Sequence, residues 1–187
     1  MVFQKLAIVF AVFNLFIGNA LGDVSIPGPK EKFRIHSVTI NEIPNEYFAY
    51  ANITINPGNF SSTTHVQIIK TLPEDLMLKV ILKYQGQDIP PLEFLVCPGM
   101  YDKIYVDDVV SKGLPKETFP HNCPITPNIL IVKEWSFPHY KIPPGTPPGP
   151  VIVNVYLSVQ STNEVIFHLY SEGEVIIADM PNAFPGK

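Results

Sequence analysis

The sequence predicts an all-β protein, an immunoglobulin-like β-sandwich with at most one short helix. Three observations predict this fold class. Segments in which apolar and polar residues alternate recur about every ten to fifteen residues, prolines and glycines (20 and 11 of 187 residues) cluster between them, and only one segment has helical spacing. An α/β fold would need repeated helices between its strands, and the sequence does not offer them.

The first 22 residues are predicted to be a secretory signal peptide. Lys5 provides a positive start, residues 6–17 form an apolar run interrupted only by Asn14, and residues 20–22 are compatible with cleavage. A membrane anchor is the alternative, but this run is shorter than the ~20 residues of a spanning helix. We therefore expect a secreted, extracellular protein without a transmembrane segment after cleavage.

Residues 23–187 are predicted to form one β-sandwich domain. Without Lys5 the chain has 12 Lys and Arg against 17 Asp and Glu, a net charge near −5. This acidic balance, with no basic cluster, argues against nucleic acid or an anionic membrane as the main partner.

Two cysteines remain, Cys97 and Cys123, and an even pair in an oxidising compartment predicts one disulfide. Closing a loop of about 27 residues would stabilise the fold by about 3.5 kcal/mol in the chain-entropy model. The alternative is a reactive thiol beside His121. A disulfide is favoured because catalytic Cys–His pairs usually meet through space rather than along the chain.

The amino-terminal half contains four predicted strands. They span residues 30–40, 47–55, 63–71 and 76–84. A change of parity between Ile35 and Val38 predicts either a β-bulge in the first strand or a strand shared between two faces. In the fourth strand Leu76, Leu78, Val80 and Leu82 are predicted to point inward. Residues 86–91 are expected to turn the chain, and a short apolar segment, 92–97, follows.

The carboxyl-terminal half is organised around a proline-rich bend, residues 142–150, with five prolines in nine positions. Proline fixes φ and lacks an amide donor, so this bend is predicted to be neither helix nor interior strand. A polyproline ligand for an SH3- or WW-type module is the alternative, but those modules are mostly intracellular.

Residues 101–112 have the only helix-like pattern.

A long one-sided strand, residues 151–159, follows the bend. Residues 161–163 are predicted to form a hairpin to 164–170, residues 174–178 to finish that strand, and residues 129–135 to form a strand before the bend. The tail from Asp179 is expected to be irregular. One face of the long strand is aliphatic and carries Val151, Val153, Val155, Leu157 and Val159.

Two glycosylation sequons occur, Asn52-Ile-Thr and Asn59-Phe-Ser. Modification would require both asparagines to face water, which would place Ala51, Ile53 and Ile55 on the inner face.

An enzymatic function is not predicted. The sequence contains no Gly-x-Ser-x-Gly elbow, no His-Glu-x-x-His and no phosphate-binding glycine loop. Its five histidines lack metal-ligand spacing, and His168 is expected on a solvated face. We expect no metal and no cofactor.

The order of Cys97, Cys123-Pro-Ile125, Ile142-Pro143, Pro148-Gly149 and the hydrophobic strand resembles a known family. It is similar to the insect secreted proteins related to the ganglioside activator and to the ML lipid-recognition domains. The likeness covers residues 76–159, whereas the amino-terminal half matches only in length and strand pattern. The chain lacks the larger family's further cysteines, and proline stands where the family's turn often continues into an aromatic residue.

The resemblance implies an ML-like sandwich whose sheets can separate to admit a lipid, and some insect relatives resemble chemosensory proteins. We therefore expect a secreted, non-enzymatic binding protein for a lipid or another apolar small molecule, with presentation to a cell-surface receptor as one role. The alternative is a secreted protein-interaction module with a dry core. The candidate pocket residues are Leu78, Val80, Leu82, Phe94, Trp135, Val153, Val155, Leu157, Phe167 and Leu169.

Overall fold

The computed structural model describes residues 31–102, 105–139 and 142–177. The predicted signal peptide, the domain's first residues and the predicted irregular tail lie outside these ranges. The strands are β1 (Glu31–Asn41), β2 (Phe48–Ile55), β3 (Ser62–Ile68), β4 (Leu76–Tyr84), β5 (Gln87–Leu95), β6 (Gly113–Leu114), β7 (Asn128–Trp135), β8 (Gly149–Val159) and β9 (Glu164–Ile177).

These strands form two antiparallel sheets, which confirms the predicted all-β sandwich. One sheet has five strands in the order β1-β9-β8-β4-β5, and the other has four in the order β2-β3-β7-β6. The long one-sided strand, β8, lies at the centre of the five-stranded sheet, where Val155 pairs with Val80 of β4 and Leu169 of β9. Paired residues share a face, so this register builds one continuous aliphatic surface.

The predicted bulge in β1 is confirmed, because its pairing with β9 shifts register between Ile35 and Ser37. The predicted hairpin between β8 and β9 is confirmed as well, and residues 164–177 form a single strand. A bulge in this hairpin, between Leu157 and Ser158, pairs Val165 with the outer-face residue Ser158, whereas Phe167 pairs with the inner-face residue Leu157. Val165 is therefore 39% exposed, whereas the adjacent Ile166 is buried at 1%.

The prediction that residues 86–91 turn the chain was wrong. The turn is the two-residue connection Gln85-Gly86, and both residues have positive φ, 50° and 77°. Such a connection suits the twist of a hairpin. Strand β5 then continues through Pro90 and Pro91, which an edge strand tolerates because one side of its backbone lacks a partner strand.

Within the described residues up to Pro138, the helical segments are short turns near the disulfide. Helix α1 (Val96–Gly99) follows β5, and a π-helical turn (Tyr105–Val109) and a 3-10 turn (Val110–Lys112) precede β6. The helix-like pattern at 101–112 therefore corresponds to two irregular turns, with residues 103 and 104 outside the described ranges.

The proline-rich bend closes one end of the sandwich. Ile142 is buried with Val151 and Val175 in one core cluster. The Gly145 amide donates to Glu31 Oε1 at 2.6 Å, and Gln85 Nε2 donates to the Pro148 carbonyl at 3.1 Å. Strand β8 already begins at Gly149, so the predicted bend ends two residues earlier than expected.

A second core cluster fills the opposite end. It joins Phe48 and Ile68 of the four-stranded sheet to Leu76, Val159 and Ile166 of the other. The two clusters therefore lie at the two ends of β8, and the middle of the sandwich lies between them.

Candidate functional site: an apolar cavity between the sheets

A cavity of about 220 Å³ lies between the two sheets, beside the cluster around Phe48. The side chains that line it are hydrocarbon apart from the hydroxyl groups of Thr64 and Tyr105. The lining residues are Phe48, Thr64, Val66, Ile68, Leu72, Tyr105, Phe119, Pro120, Ile125, Leu130, Val132, Leu157 and Phe167. Such a wall can hold an apolar molecule but carries no general acid or base that titrates near neutral pH.

Strand alternation places the sheet residues on this wall. Val66 pairs with Leu130, and Thr64 pairs with Val132, so β3 and β7 present these four side chains to the same face. On the opposite sheet Leu157 pairs with Phe167. The centroids of the Phe167 and Phe48 rings are 6.1 Å apart, and this contact connects the two sheets at one side of the cavity.

Apart from Leu72, the remaining wall comes from the segment between β5 and β7, residues 96–127, which we call the strap. The Cys97–Cys123 disulfide closes most of it into a loop, as predicted, with the two Cα atoms 5.6 Å apart. Tyr105 donates a hydrogen bond from its hydroxyl to the Pro120 carbonyl at 2.9 Å. Burial raises the pKa of Tyr105 to about 12, so the phenol stays protonated at neutral pH.

Phe119 is the most enclosed aromatic side chain of the strap wall, with 5% of its surface exposed. Its ring lies directly over Gly113, where a methyl group would come within 2.4 Å of the ring. The glycine therefore allows the Phe119 ring to pack close against strand β6, which is itself part of the strap. The strap is further fixed where the Leu72 amide donates to the Ile125 carbonyl at 2.9 Å.

The middle of the five-stranded sheet is less deeply buried than its ends, although Val153 and Leu157 pack against the two core clusters. Along β8 the inner-face residues at the two ends, Val151 and Val159, are each 6% exposed. The inner-face residues between them, Val153, Val155 and Leu157, are only half-buried. Part of the aliphatic face between the two core clusters is therefore accessible to solvent.

The predicted pocket residues fall into three groups. Leu157 and Phe167 line the cavity. Leu82 and Val153 pack against the cluster around Ile142, at the opposite end. The others lie outside the lining. By register, the inner face of the five-stranded sheet carries Leu78, Val80, Val155 and Leu169. Phe94, on edge strand β5, pairs with Leu78, and Trp135 pairs with Ser62.

Most lining residues were missed by the sequence analysis because they come from the four-stranded sheet and the strap. Strand β3 shows weak alternation, since Ser62 and Thr64 occupy inner positions that usually carry aliphatic residues. Phe119, Pro120 and Ile125 lie in irregular chain, where no periodic pattern indicates which side chain points inward.

His168 contacts three neighbouring side chains. His168 lies on the outer face, stacked on Tyr156 with the ring centroids 4.3 Å apart. Its Nε2 is 3.0 Å from Asn154 Oδ1, and its Nδ1 is 3.2 Å from Asn41 Nδ2.

Within residues 31–102, 105–139 and 142–177, no group of three or more His, Cys, Asp or Glu side chains could hold a metal ion.

Comparison with known proteins adds no family assignment: no family model matches the chain, and no curated protein matches it. In the described part of the chain, none of the helices has the length and apolar character needed to cross a membrane.

Proposed function

We propose that the protein is a secreted, non-enzymatic carrier of a lipid or another apolar small molecule. The observation that carries the proposal is the cavity of about 220 Å³ between the sheets, with its almost entirely hydrocarbon wall. The half-buried aliphatic face of β8 supports it, because a guest could extend from the cavity along that face. The predicted signal peptide supports export, and the ML-like order of motifs supports a lipid as the guest and a chemosensory receptor as one recipient.

The size of the cavity suits a short apolar group. An apolar cavity of about 150 Å³ in another protein stays dry and binds benzene, so 220 Å³ is sufficient for a ring or several methylenes. Each methylene removed from water contributes about 0.8 kcal/mol, before the cost of association. A molecule with a long chain would gain more by also covering the inner face of β8.

Direct detection of a bound molecule tests the proposal. Protein from its native secretion would be extracted with organic solvent and the extract measured by mass spectrometry. The purified protein would then be titrated with the fluorescent apolar probe N-phenyl-1-naphthylamine. The carrier function predicts a bound lipid-like molecule and saturable probe binding. Clean extracts together with no probe binding would favour the alternative, a secreted interaction module with a dry core.

A matched pair of variants on strand β7 locates the binding. Val132 lines the cavity, whereas its neighbour Ile131 pairs with Leu114 and His65 on the opposite face of the sheet. Val132→Phe places a ring in the cavity and is expected to weaken probe binding at least about tenfold, because it displaces apolar contacts of the guest. Ile131→Phe is expected to leave the affinity unchanged. Equal affinities in both variants would place the probe elsewhere.

A further inference from the structure

The outer face of strand β2 carries an exposed tyrosine beside a glycosylation sequon. Ala51 pairs with Val66, which lines the cavity, so Ala51 points inward. Strand alternation therefore directs Tyr50, Asn52 and Thr54 to the opposite face, and all three are exposed. The sequon Asn52-Ile-Thr thus lies on the face of the sheet that points away from the cavity.

The Tyr50 side chain leaves a large ring surface in contact with water. It is 40% exposed, and its row across the sheet continues through Gln67 to Ile129, which is 49% exposed. A phenol ring has an apolar body and a polar tip, so it can receive a group that combines C–H surface with hydroxyl groups. A sugar has this combination.

The spacing of Tyr50 and Asn52 brings a sugar to this ring. Residues two apart on a strand lie about 7 Å apart on the same face, so the two side chains are direct neighbours. The first sugar of an N-glycan, N-acetylglucosamine, is bonded to the asparagine Nδ2 itself. One face of its ring presents axial C–H groups, which pack favourably on the electron-rich face of an aromatic side chain.

The second sequon, Asn59-Phe-Ser, offers no such ring. Asn59 lies in a turn with a φ of 62°. The adjacent Phe60 ring already has two cations over it, with Lys32 Nζ at 5.7 Å and Arg34 Cζ at 5.6 Å from its centroid. A sugar on Asn59 therefore gains little aromatic surface, which makes this sequon a matched control.

We propose that Asn52 carries an N-glycan whose first N-acetylglucosamine packs on the Tyr50 ring and so forms part of the outer face of the four-stranded sheet. The donor is an oligosaccharide linked to a lipid diphosphate. Asn52 Nδ2 loses a proton and bonds to C1 of the sugar, while the C1–O bond to the diphosphate breaks and the lipid diphosphate leaves. Strand β2 is the first in the strand order of its sheet, so the glycan also hinders pairing with a second molecule along that edge.

This inference does not rest on the carrier function, because the sugar and the cavity lie on opposite faces of β2 and β3. It requires export through the secretory pathway, for which the chain has a predicted signal peptide. Its test can therefore fail or succeed separately from the test of ligand binding.

The test isolates one sugar at one site. The full chain, with Asn59→Gln in every sample, is secreted from a eukaryotic cell line that makes high-mannose glycans and is trimmed by endoglycosidase H to a single N-acetylglucosamine. Thermal unfolding is compared with and without Asn52→Gln, in the native background and in Tyr50→Thr, which removes the ring but suits a strand. We expect the sugar to raise Tm by about 2–4 °C beside Tyr50 and by less than half as much in Tyr50→Thr.

The control moves the sugar to the other sequon. With Asn52→Gln in every sample, a single N-acetylglucosamine on Asn59 should change Tm by less than about 1 °C. An equally large rise from Asn59 would overturn the inference, as would an equal rise in the Tyr50→Thr background or a secreted protein whose mass shows Asn52 unmodified. Affinity for N-phenyl-1-naphthylamine should be the same with and without the sugar, and failure of every sample to bind this probe would overturn the carrier function alone.

Discussion

Replacing Gly113 by alanine tests how closely the Phe119 ring packs against strand β6. The added methyl group would lie 2.4, 2.5 and 2.6 Å from three atoms of the Phe119 ring. Carbon atoms pack best at about 3.5–4.0 Å, so the ring must retreat by about 1 Å. Phe119 lines the cavity, and its displacement would change the cavity wall as well as the stability.

The expected magnitude combines two opposing effects. Overpacking of this kind costs about 1–3 kcal/mol. Gly113 has φ −73° and ψ 146°, which alanine adopts readily, so the less flexible unfolded chain offsets about 0.4–1 kcal/mol of that cost. We expect a net destabilisation of about 1–2 kcal/mol, equivalent to about 2–8 °C in Tm for a domain of this size.

The assay is equilibrium unfolding in urea for four proteins: wild type, Gly113→Ala, Phe119→Ala and the double variant. Phe119→Ala alone should lower the free energy of unfolding by about 3–5 kcal/mol. Without the ring the clash is absent, so Gly113→Ala should become stabilising by about 0.4–1 kcal/mol in that background. The sign of the alanine effect therefore reverses between the two backgrounds.

Two results would refute this reasoning. If Gly113→Ala leaves the free energy of unfolding unchanged or raises it in the wild-type background, the ring does not lie against the glycine. Equal destabilisation in both backgrounds would show that the clash involves another group. The same proteins can be titrated with N-phenyl-1-naphthylamine, where Gly113→Ala is expected to weaken binding because the displaced ring moves the cavity wall.

Three further predictions concern the strap and the surface. Replacing Cys97 and Cys123 together by alanine should lower the free energy of unfolding by up to about 3.5 kcal/mol, measured in urea, and an unchanged midpoint would contradict the loop-closure argument. Burial raises the pKa of Tyr105 to about 12, above its unfolded value near 10, so its contribution to stability is complete below pH 10 and is lost as pH rises towards 12. Tyr105→Phe should therefore lose less stability than wild type between these pH values, and parallel pH profiles would contradict the assignment. Asn52 and Asn59 are both exposed, so glycosidase treatment of the natively secreted protein should reduce its mass. Asn→Gln at each sequon would show which asparagine is modified. An unchanged mass would mean that neither is modified.

The strands with strong alternation were predictable, because period-two patterning depends only on which face of a strand is buried. Strand β4 begins and ends at the predicted residues, and the bulge in β1 followed from the parity change after Ile35. The turn at Gln85-Gly86 was misplaced because Pro90 and Pro91 indicate a break, whereas an edge strand can include them.

The candidate site was less predictable. Leu157 and Phe167 could be named from the sequence because they lie on the patterned strands β8 and β9. The strap residue Phe119 could not, because its inward position depends on the disulfide and on the absence of a side chain at Gly113. Irregular segments carry no period from which burial can be read.

By itself the sequence determined that the protein is an all-β sandwich with one disulfide and a strongly one-sided central strand, because alternation, prolines and paired cysteines act locally. Only the tertiary structure decided that the two ends of that strand are more deeply buried than its middle, and that a cavity lies under the strap. The separation between two facing sheets is set by side chains from distant parts of the chain. The same cavity is lined by Phe48, Phe119 and Phe167, although more than a hundred residues separate the first from the last.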